Sequence, residues 1–408
     1  MKIIDGGVTA PKGFRAAGIR AGIKAGSGKK DMAMIYSEQP AVIAGTFTRN
    51  LVKAAPVLWD RKLVEEQEAI RAVVVNTGVA NACTGTAGYE NTQKEAVLTA
   101  DILGLQPEEV AVGSTGVIGK QLPMDIIEKG IRTLALQLND SRQSSKDAAE
   151  AILTTDTKSK EAAVMVEIGG KEVTIGGICK GSGMIHPNMG TMLGYIATDA
   201  VIEKDLLLEM QRELVEDTFN MVSVDGDTST NDTVLVMANG MAGNQKIQTK
   251  DADYLAFREG LLYVNRALAM QIAADGEGCT RLFEVHVAGA DTKENAKILS
   301  KSVVTSSLTK AAIYGKDANW GRILCALGYA GVDFDPLQVD IALVSKAGNI
   351  EIVKDGVATD YSEEEATKIL SEDKVTAQIN VHKGVEEATA WGCDLTHDYV
   401  SINADYRS

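Results

Sequence analysis

The chain has 408 residues, 45% of them hydrophobic and 24% charged, ordinary values for a globular protein with room for two or three domains, or one large layered domain and a smaller one. Fifty-six acidic residues against 41 basic ones leave a formal net charge of -15, which argues against nucleic acid as the main partner because phosphate recognition needs a basic face. Five scattered cysteines without C-x-x-C spacing point away from a disulfide framework or zinc site and towards a reducing, cytoplasmic setting. The N-terminus lacks a signal peptide's apolar stretch, and no run approaches the roughly 18 apolar residues of a membrane span, so no membrane partner is expected.

Along the chain, residues 26–30 (Gly-Ser-Gly-Lys-Lys) imitate a phosphate loop but fail it: Ile23 stands where the first glycine belongs, and Lys30 where the Ser or Thr would hold magnesium. Residues 72–76 form a short apolar, β-branched run. Residues 163–168 and 171–178 flank Gly169-Gly170, a two-residue hairpin signal. Leu207, Met210 and Leu214 carry helical periodicity in an acidic amphipathic stretch. Residues 225–232 (Asp-Gly-Asp-Thr-Ser-Thr-Asn-Asp) suggest a calcium loop, but Thr230 and Val236 occupy the positions that require glycine and glutamate; a structured turn near an active site fits better, and no metal is expected. Residues 233–237 read as a strand, 251–274 as a long helix, and Ser362 with Glu365 as a capping box opening a helix through Leu370. Val375, Ala377, Ile379 and Val381 alternate with polar residues, the pattern of an antiparallel strand buried on one side. No repeat, low-complexity segment or linker appears. Mixed strands and helices give an α+β layered sandwich.

The four histidines are dispersed and G-x-S-x-G is missing, so a nucleophile must be activated without either. Residues 180–194 (Lys-Gly-Ser-Gly-Met-Ile-His-Pro-Asn-Met-Gly-Thr-Met-Leu-Gly) follow a predicted strand and set Thr191 directly after Gly190. Glycine gives little steric cover and permits a strained backbone. Attack by the Thr191 hydroxyl on that peptide bond, an N-to-O acyl shift and hydrolysis would liberate an N-terminal threonine. Its amine, with an unperturbed pKa of about 8, can serve as base for its own hydroxyl.

This segment resembles the processing site of the ornithine acetyltransferase family, also called glutamate N-acetyltransferase or ArgJ. Further blocks resemble the same family: Gly45-Thr46-Phe47-Thr48-Arg49-Asn50, residues 76–85, Gly113-Ser114-Thr115-Gly116-Val117-Ile118-Gly119, Thr154-Thr155-Asp156-Thr157, residues 225–232, Asp275-Gly276-Glu277-Gly278, residues 315–322 and Asn403-Ala404-Asp405-Tyr406-Arg407-Ser408. They run in order from about residue 7 to the last residue. One departure is Val79, in a block that is usually more polar.

The resemblance implies an αββα layered sandwich of the DmpA/ornithine acetyltransferase type over residues 1–280, analogous to N-terminal nucleophile hydrolases, with a smaller C-terminal α/β region over 281–408. It implies cleavage between Gly190 and Thr191 into an α chain 1–190 and a β chain 191–408, assembled as α2β2. Thr191 would carry acetyl from N-acetylornithine to glutamate, with Thr115 and Gly116 as the oxyanion hole. Thr154, Lys180, Thr191, Glu277, Asn403 and Ser408 would bind substrate. Thr155 is an alternative to Thr154, and Glu277 either binds an ammonium or moves protons. No cofactor is implied; acetyl-CoA as a second acetyl donor divides bifunctional members from ornithine-only ones. Two other readings remain at this level: a self-processing amidohydrolase or aminopeptidase of the DmpA type, and a non-catalytic metal-binding protein built around residues 225–232.

Overall fold

The computed structural model describes residues 1–186 and 192–405. Among them, nine strands form a first sheet in the order Lys2–Ile4, Lys160–Ile168, Lys171–Lys180, Leu193–Thr198, Thr233–Ala238, Met32–Phe47, Ala69–Val79 and Val110–Val117, with Phe14–Ile19 pairing beside Met32–Phe47. Most neighbours are antiparallel. Leu193–Thr198 runs parallel to Thr233–Ala238, and Ala69–Val79 parallel to Val110–Val117.

Local residue types account for several of these elements. Gly169-Gly170 closes the Lys160–Ile168/Lys171–Lys180 hairpin, which stays in register along its length. Asp251 caps the helix Ala252–Ala273 by accepting from the Tyr254 amide at 3.1 Å, and Ser362 caps Glu363–Leu370 by accepting from Glu365. Leu207, Met210 and Leu214 form the buried stripe of the helix Lys204–Glu216.

Helices cover both faces of the first sheet. On one side, Ala55–Glu66, Gly85–Leu103, Met124–Gln137 and Arg142–Ala151 close a core containing Phe14, Met32, Val74 and Ile131. On the other, Ala252–Ala273 packs Phe257, Leu261 and Leu268 over Val164, Val173 and Ile175. That cluster continues into a second sheet, ordered Val357–Ala358, Gly348–Lys354, Asp340–Ser345, Lys374–Asn380, Leu282–Ala290, Glu386–Cys393 and Val222–Ser223. Lys293–Thr305 lies along its strands Leu282–Ala290 and Glu386–Cys393. The α+β layered class therefore holds. The alternating strand at 375–381 is the Lys374–Asn380 strand, antiparallel to Asp340–Ser345 but parallel to Leu282–Ala290. Alternation reports which face is buried and carries no information about neighbour direction. No helix among the described residues is long and apolar enough to cross a membrane.

One core feature carries no sequence signature. Asp60, Glu95, Thr99 and Tyr195 are all fully or almost fully buried where Ala55–Glu66 and Gly85–Leu103 cover Val110–Val117. Asp60 Oδ1 accepts from the Val112 amide at 2.8 Å. Asp60 Oδ2, both Glu95 carboxyl oxygens and the Thr99 and Tyr195 hydroxyls have no hydrogen-bond partner among the described residues. Burial holds the Asp60 carboxyl well above the carboxylate range. Burial, aided by the neighbouring acidic group of Asp60, pushes Glu95 from the ordinary 4.5 up to about 8.

Folded Glu95 keeps its proton to about pH 8, whereas the unfolded chain releases it near 4.5. Its contribution to stability is complete below that lower value and is lost as pH rises through the upper one. Between pH 6 and 9 the wild-type urea midpoint should fall, and Glu95→Gln, neutral throughout, should flatten that fall. Equal slopes for the two proteins would show that Glu95 titrates normally.

Candidate active site

The ends of Ala69–Val79 and Val110–Val117 meet at two glycines. Gly116 has φ +132° and Gly78 φ +103°, and a Cβ on Gly116 would stand 2.4 Å from the Gly78 carbonyl carbon. Only glycine permits that approach. The Ser114 hydroxyl donates to Asn76 Oδ1 at 2.6 Å, and Asn231 Nδ2 donates to the carbonyls of Ser114 (2.8 Å) and Ala80 (2.6 Å). The Thr115-Gly116 step is thus clamped from two sides by buried hydrogen bonds.

Below it lies a buried charge network. Lys160, 1% exposed, donates to Asp156 Oδ1 at 2.7 Å and to Asp275 Oδ2 at 2.6 Å. Asp156 also accepts from the amides of Thr154 (3.0 Å) and Gly181 (2.7 Å). Asp275 accepts from the Thr157 amide and hydroxyl. Burial opposes ionisation of Asp156, but the charges of Lys180 and Lys160 and these hydrogen bonds outweigh it and hold the carboxyl well below its usual range. The Lys180 ammonium lies 4.0 Å from Asp156 Oδ2, makes no hydrogen bond among the described residues and borders the cleft.

A third group sets the opposite wall. Asp225 accepts from the amides of Met184 (2.6 Å) and Ile185 (2.8 Å), fixing a turn in which Met184 has φ +55°. Burial raises the Asp225 carboxyl above its ordinary value. The 225–232 segment therefore works as a structural turn beside the cleft, through its own hydrogen bonds to the 184–186 backbone. Among the described residues, no group of three or more His, Cys, Asp or Glu could hold a metal ion. A Cβ on Gly183 would meet the Glu277 carboxyl at 2.3 Å, so glycine there lets Glu277 reach the cleft. Glu277 Oε2 accepts from Asn403 Nδ2 at 2.8 Å, which brings the terminal helix His397–Asp405 to the mouth.

A cleft of about 140 Å³ results. It is lined by Thr115, Gly116, Thr154, Lys180, Glu277 and Asn403, gathered from separate stretches of chain. Thr155 lines it as well, so both candidates at that step face the same space. Met184, Met192 and Leu193 complete the wall on either side of residues 187–191. Gly190, Thr191 and Ser408 lie outside the described residues.

Sequence reasoning assigned no role to Lys160, to the carboxylates of Asp156 and Asp275, or to the Asn231 clamp. It also missed Lys24, whose ammonium donates to the Leu153 carbonyl at 2.6 Å, directly before Thr154. Burial pushes that ammonium down to about 8 against the pull of Asp31. A lysine that opens an apolar strand, as Lys160 does in Lys160–Ile168, was the one available signal.

The model of the ArgJ family matches residues 15–408. Two proteins named arginine biosynthesis bifunctional protein ArgJ are similar along their whole lengths. One, from Symbiobacterium thermophilum, is 52% identical and covered completely, as is this chain; the other, from Clostridium acetobutylicum, is 51% identical over 97% of this chain and 96% of its own. A solved structure of the Bacillus halodurans protein of the same name aligns with TM-score 0.51 and 46% identity, covering 53% of this chain and 100% of its own.

The network makes a quantitative demand. Asp156→Asn leaves Lys160 and Lys180 without their shared counter-charge. Breaking one member of a buried ion pair costs about 3–5 kcal/mol, and urea unfolding of Asp156→Asn at pH 7 should show a loss of that size. A loss no larger than an exposed pair's, below ~1 kcal/mol, would mean that Asp156 does not hold the two lysines.

Proposed function

The chain belongs to the ArgJ family and is an acyltransferase of arginine biosynthesis, and on that footing we propose that it moves acetyl from N2-acetyl-L-ornithine to L-glutamate through an ester on Thr191. The observation that carries this reading is the convergence of Thr115, Gly116, Thr154, Lys180, Glu277 and Asn403 on one cleft, bounded by the chain neighbours of the Gly190-Thr191 step.

The chemistry begins with maturation. The Thr191 hydroxyl adds to the Gly190 carbonyl, the C–N bond breaks in an N-to-O shift, and water hydrolyses the ester to free the Thr191 amine. A β chain of residues 191–408 would hold 218 of the 408 residues. In turnover the amine takes the hydroxyl proton as oxygen attacks the acetyl carbonyl. Charge develops on the carbonyl oxygen, where the Thr115 hydroxyl and the Gly116 amide are the donors. Collapse expels ornithine, which leaves with a proton, and the acetyl remains on Thr191. The glutamate amine then attacks the ester, gives up its proton and departs as N-acetylglutamate, returning Thr191 to its free state.

Lys180 pairs with the α-carboxylate that donor and acceptor share. Glu277 pairs with the ornithine side-chain ammonium or moves the proton of the leaving amine. Thr154, Asn403 and Ser408 complete the substrate contacts. The bifunctional name of the relatives supports acetyl-CoA as a second donor. The reading needs no cofactor or metal, places the enzyme in the cytoplasm as an α2β2 assembly, and divides the chain into a main unit 1–280 and a C-terminal unit 281–408.

Two measurements test it. Denaturing mass spectrometry should give fragments of 190 and 218 residues from wild type and one intact, inactive chain from Thr191→Ala; an uncleaved wild type with full activity would overturn the mechanism. Thr115→Ala should lower kcat about a hundredfold or more with a smaller effect on substrate binding. An unchanged kcat removes Thr115 from the oxyanion hole.

A further inference from the structure

Against a background of net charge -15, one surface pocket is basic. About 400 Å³ in volume, it is lined by Arg49, Lys53, Arg61 and Arg212, with Thr46 and the single carboxylate Glu65 among its other walls. Glu65 is taken up by Arg61 at 2.8 Å, and Arg49 meets Glu216 at 3.3 Å. Lys53 donates to the Asn50 carbonyl at 2.6 Å. Neither Lys53 nor Arg212 has a carboxylate partner among the described residues, and the buried Thr46 hydroxyl has no hydrogen-bond partner among them. Arginine forks and a lysine point charge around one hollow match the geometry and charge of phosphate.

The pocket backs onto the cleft. Thr48, in the pocket wall, donates from its amide to the Asp232 carbonyl at 3.0 Å and from its hydroxyl to the Ser229 carbonyl at 2.8 Å. Ser229 and Asp232 line the cleft. Two hydrogen bonds of Thr48 thus join the pocket wall to the cleft wall.

We propose that this pocket holds the phosphate-bearing end of an acetyl-coenzyme A donor while its flexible arm carries the thioester over the rim to the cleft. The inference rests on the reading that acetyl-CoA is a second donor. In that half-reaction the Thr191 oxygen attacks the thioester carbonyl, the C–S bond breaks, coenzyme A leaves as the thiol with the hydroxyl's proton, and the acetyl ester is the same one formed from acetylornithine.

The test uses the full processed protein, wild type and Lys53→Glu/Arg212→Glu, with adenosine 3′,5′-bisphosphate and inorganic phosphate as titrants and both acetyl donors in assay. Wild type should bind the bisphosphate more tightly than inorganic phosphate. The variant should lose about tenfold or more in bisphosphate affinity and gain about tenfold in KM for acetyl-CoA. Its cleavage and its acetylornithine-dependent rate should match wild type, which shows the fold and the cleft intact. Unchanged bisphosphate affinity in the variant overturns the proposal, and so does inorganic phosphate binding as tightly as the bisphosphate. Wild-type turnover of acetyl-CoA with an unaltered KM in the variant removes the pocket and leaves the second-donor reading standing. Wild type that binds bisphosphate but never turns over acetyl-CoA removes the second-donor reading, and the assignment to that donor falls with it.

Discussion

The ammonium of Lys160, held between Asp156 and Asp275, is the interaction on which the cleft depends. A charge this deeply buried is tolerated only when paired and hydrogen-bonded, and each partner it recruits anchors a different cleft segment. Asp156 gathers the amides of Thr154 and Gly181 and lies beside Lys180; Asp275 gathers Thr157 and, through its carbonyl, the Ser182 hydroxyl at 2.6 Å. Glu277, two residues beyond Asp275, hydrogen-bonds through its amide to the Ser182 carbonyl at 3.0 Å. One buried cation thus orders the 154–157 loop, the start of the 180–186 segment and the 275–277 turn together.

Charge balance follows from this arrangement. Lys160 and Lys180 face Asp156, Asp275 and Glu277, and two of the three carboxylates are consumed by Lys160. What remains for a ligand is the Lys180 ammonium on one wall and the Glu277 carboxylate on another. On the proposed reading an amino acid with its own carboxylate and ammonium would meet a complementary pair, and neither protein charge has a direct hydrogen-bonded counter-ion among the described residues. The clamp at Thr115-Gly116 is built differently, from neutral hydrogen bonds of Asn231, Asn76 and Ser114. On the proposed reading these bonds preorganise the donors that meet a developing oxyanion.

The elements were legible where a period or a cap declared them. The hairpin over residues 160–180 follows from its turn glycines, the strand Thr233–Ala238 from a β-branched run, the helix Lys204–Glu216 from helical periodicity and Glu363–Leu370 from its N-cap serine, and Ala252–Ala273 was legible as a long helix. Strand neighbours were not legible, since pairing direction at Lys374–Asn380 is decided by crossover connections and not by its own side chains. The cleft divides in the same way. Its contact residues came from the family-like blocks, whereas its support did not: Lys160 and Asp275 are 115 positions apart, and Asn231 reaches a carbonyl 151 positions away. No local pattern encodes such long-range pairs. Likewise, Asp60, Glu95 and Tyr195 look like ordinary polar residues of two helices and a strand until packing brings them together.

A ping-pong enzyme of the proposed kind has to receive two amino acids whose side chains end in opposite charges, ammonium on ornithine and carboxylate on glutamate. Lys180 suits both, because the α-carboxylate is common to them. Glu277 suits only the first, and a glutamate side chain pointed at it would meet like charge. Asn403 offers the way out that the geometry allows. Its amide already donates to Glu277 Oε2 at 2.8 Å, occupying that carboxylate, and an amide can present either a donor or an acceptor to a ligand. The residue stands on an exposed helix, His397–Asp405, that meets the body where Gly278 allows the backbone of Asp398 and Tyr399 to approach, where the Thr396 hydroxyl donates to the Gly278 carbonyl at 2.7 Å and where the His397 ring stands edge-on to Tyr314. On the proposed reading, the Lys180 ammonium beside Asp156 meets the carboxylate that the two substrates share, and the Asn403 amide beside Glu277 stands where their side chains differ.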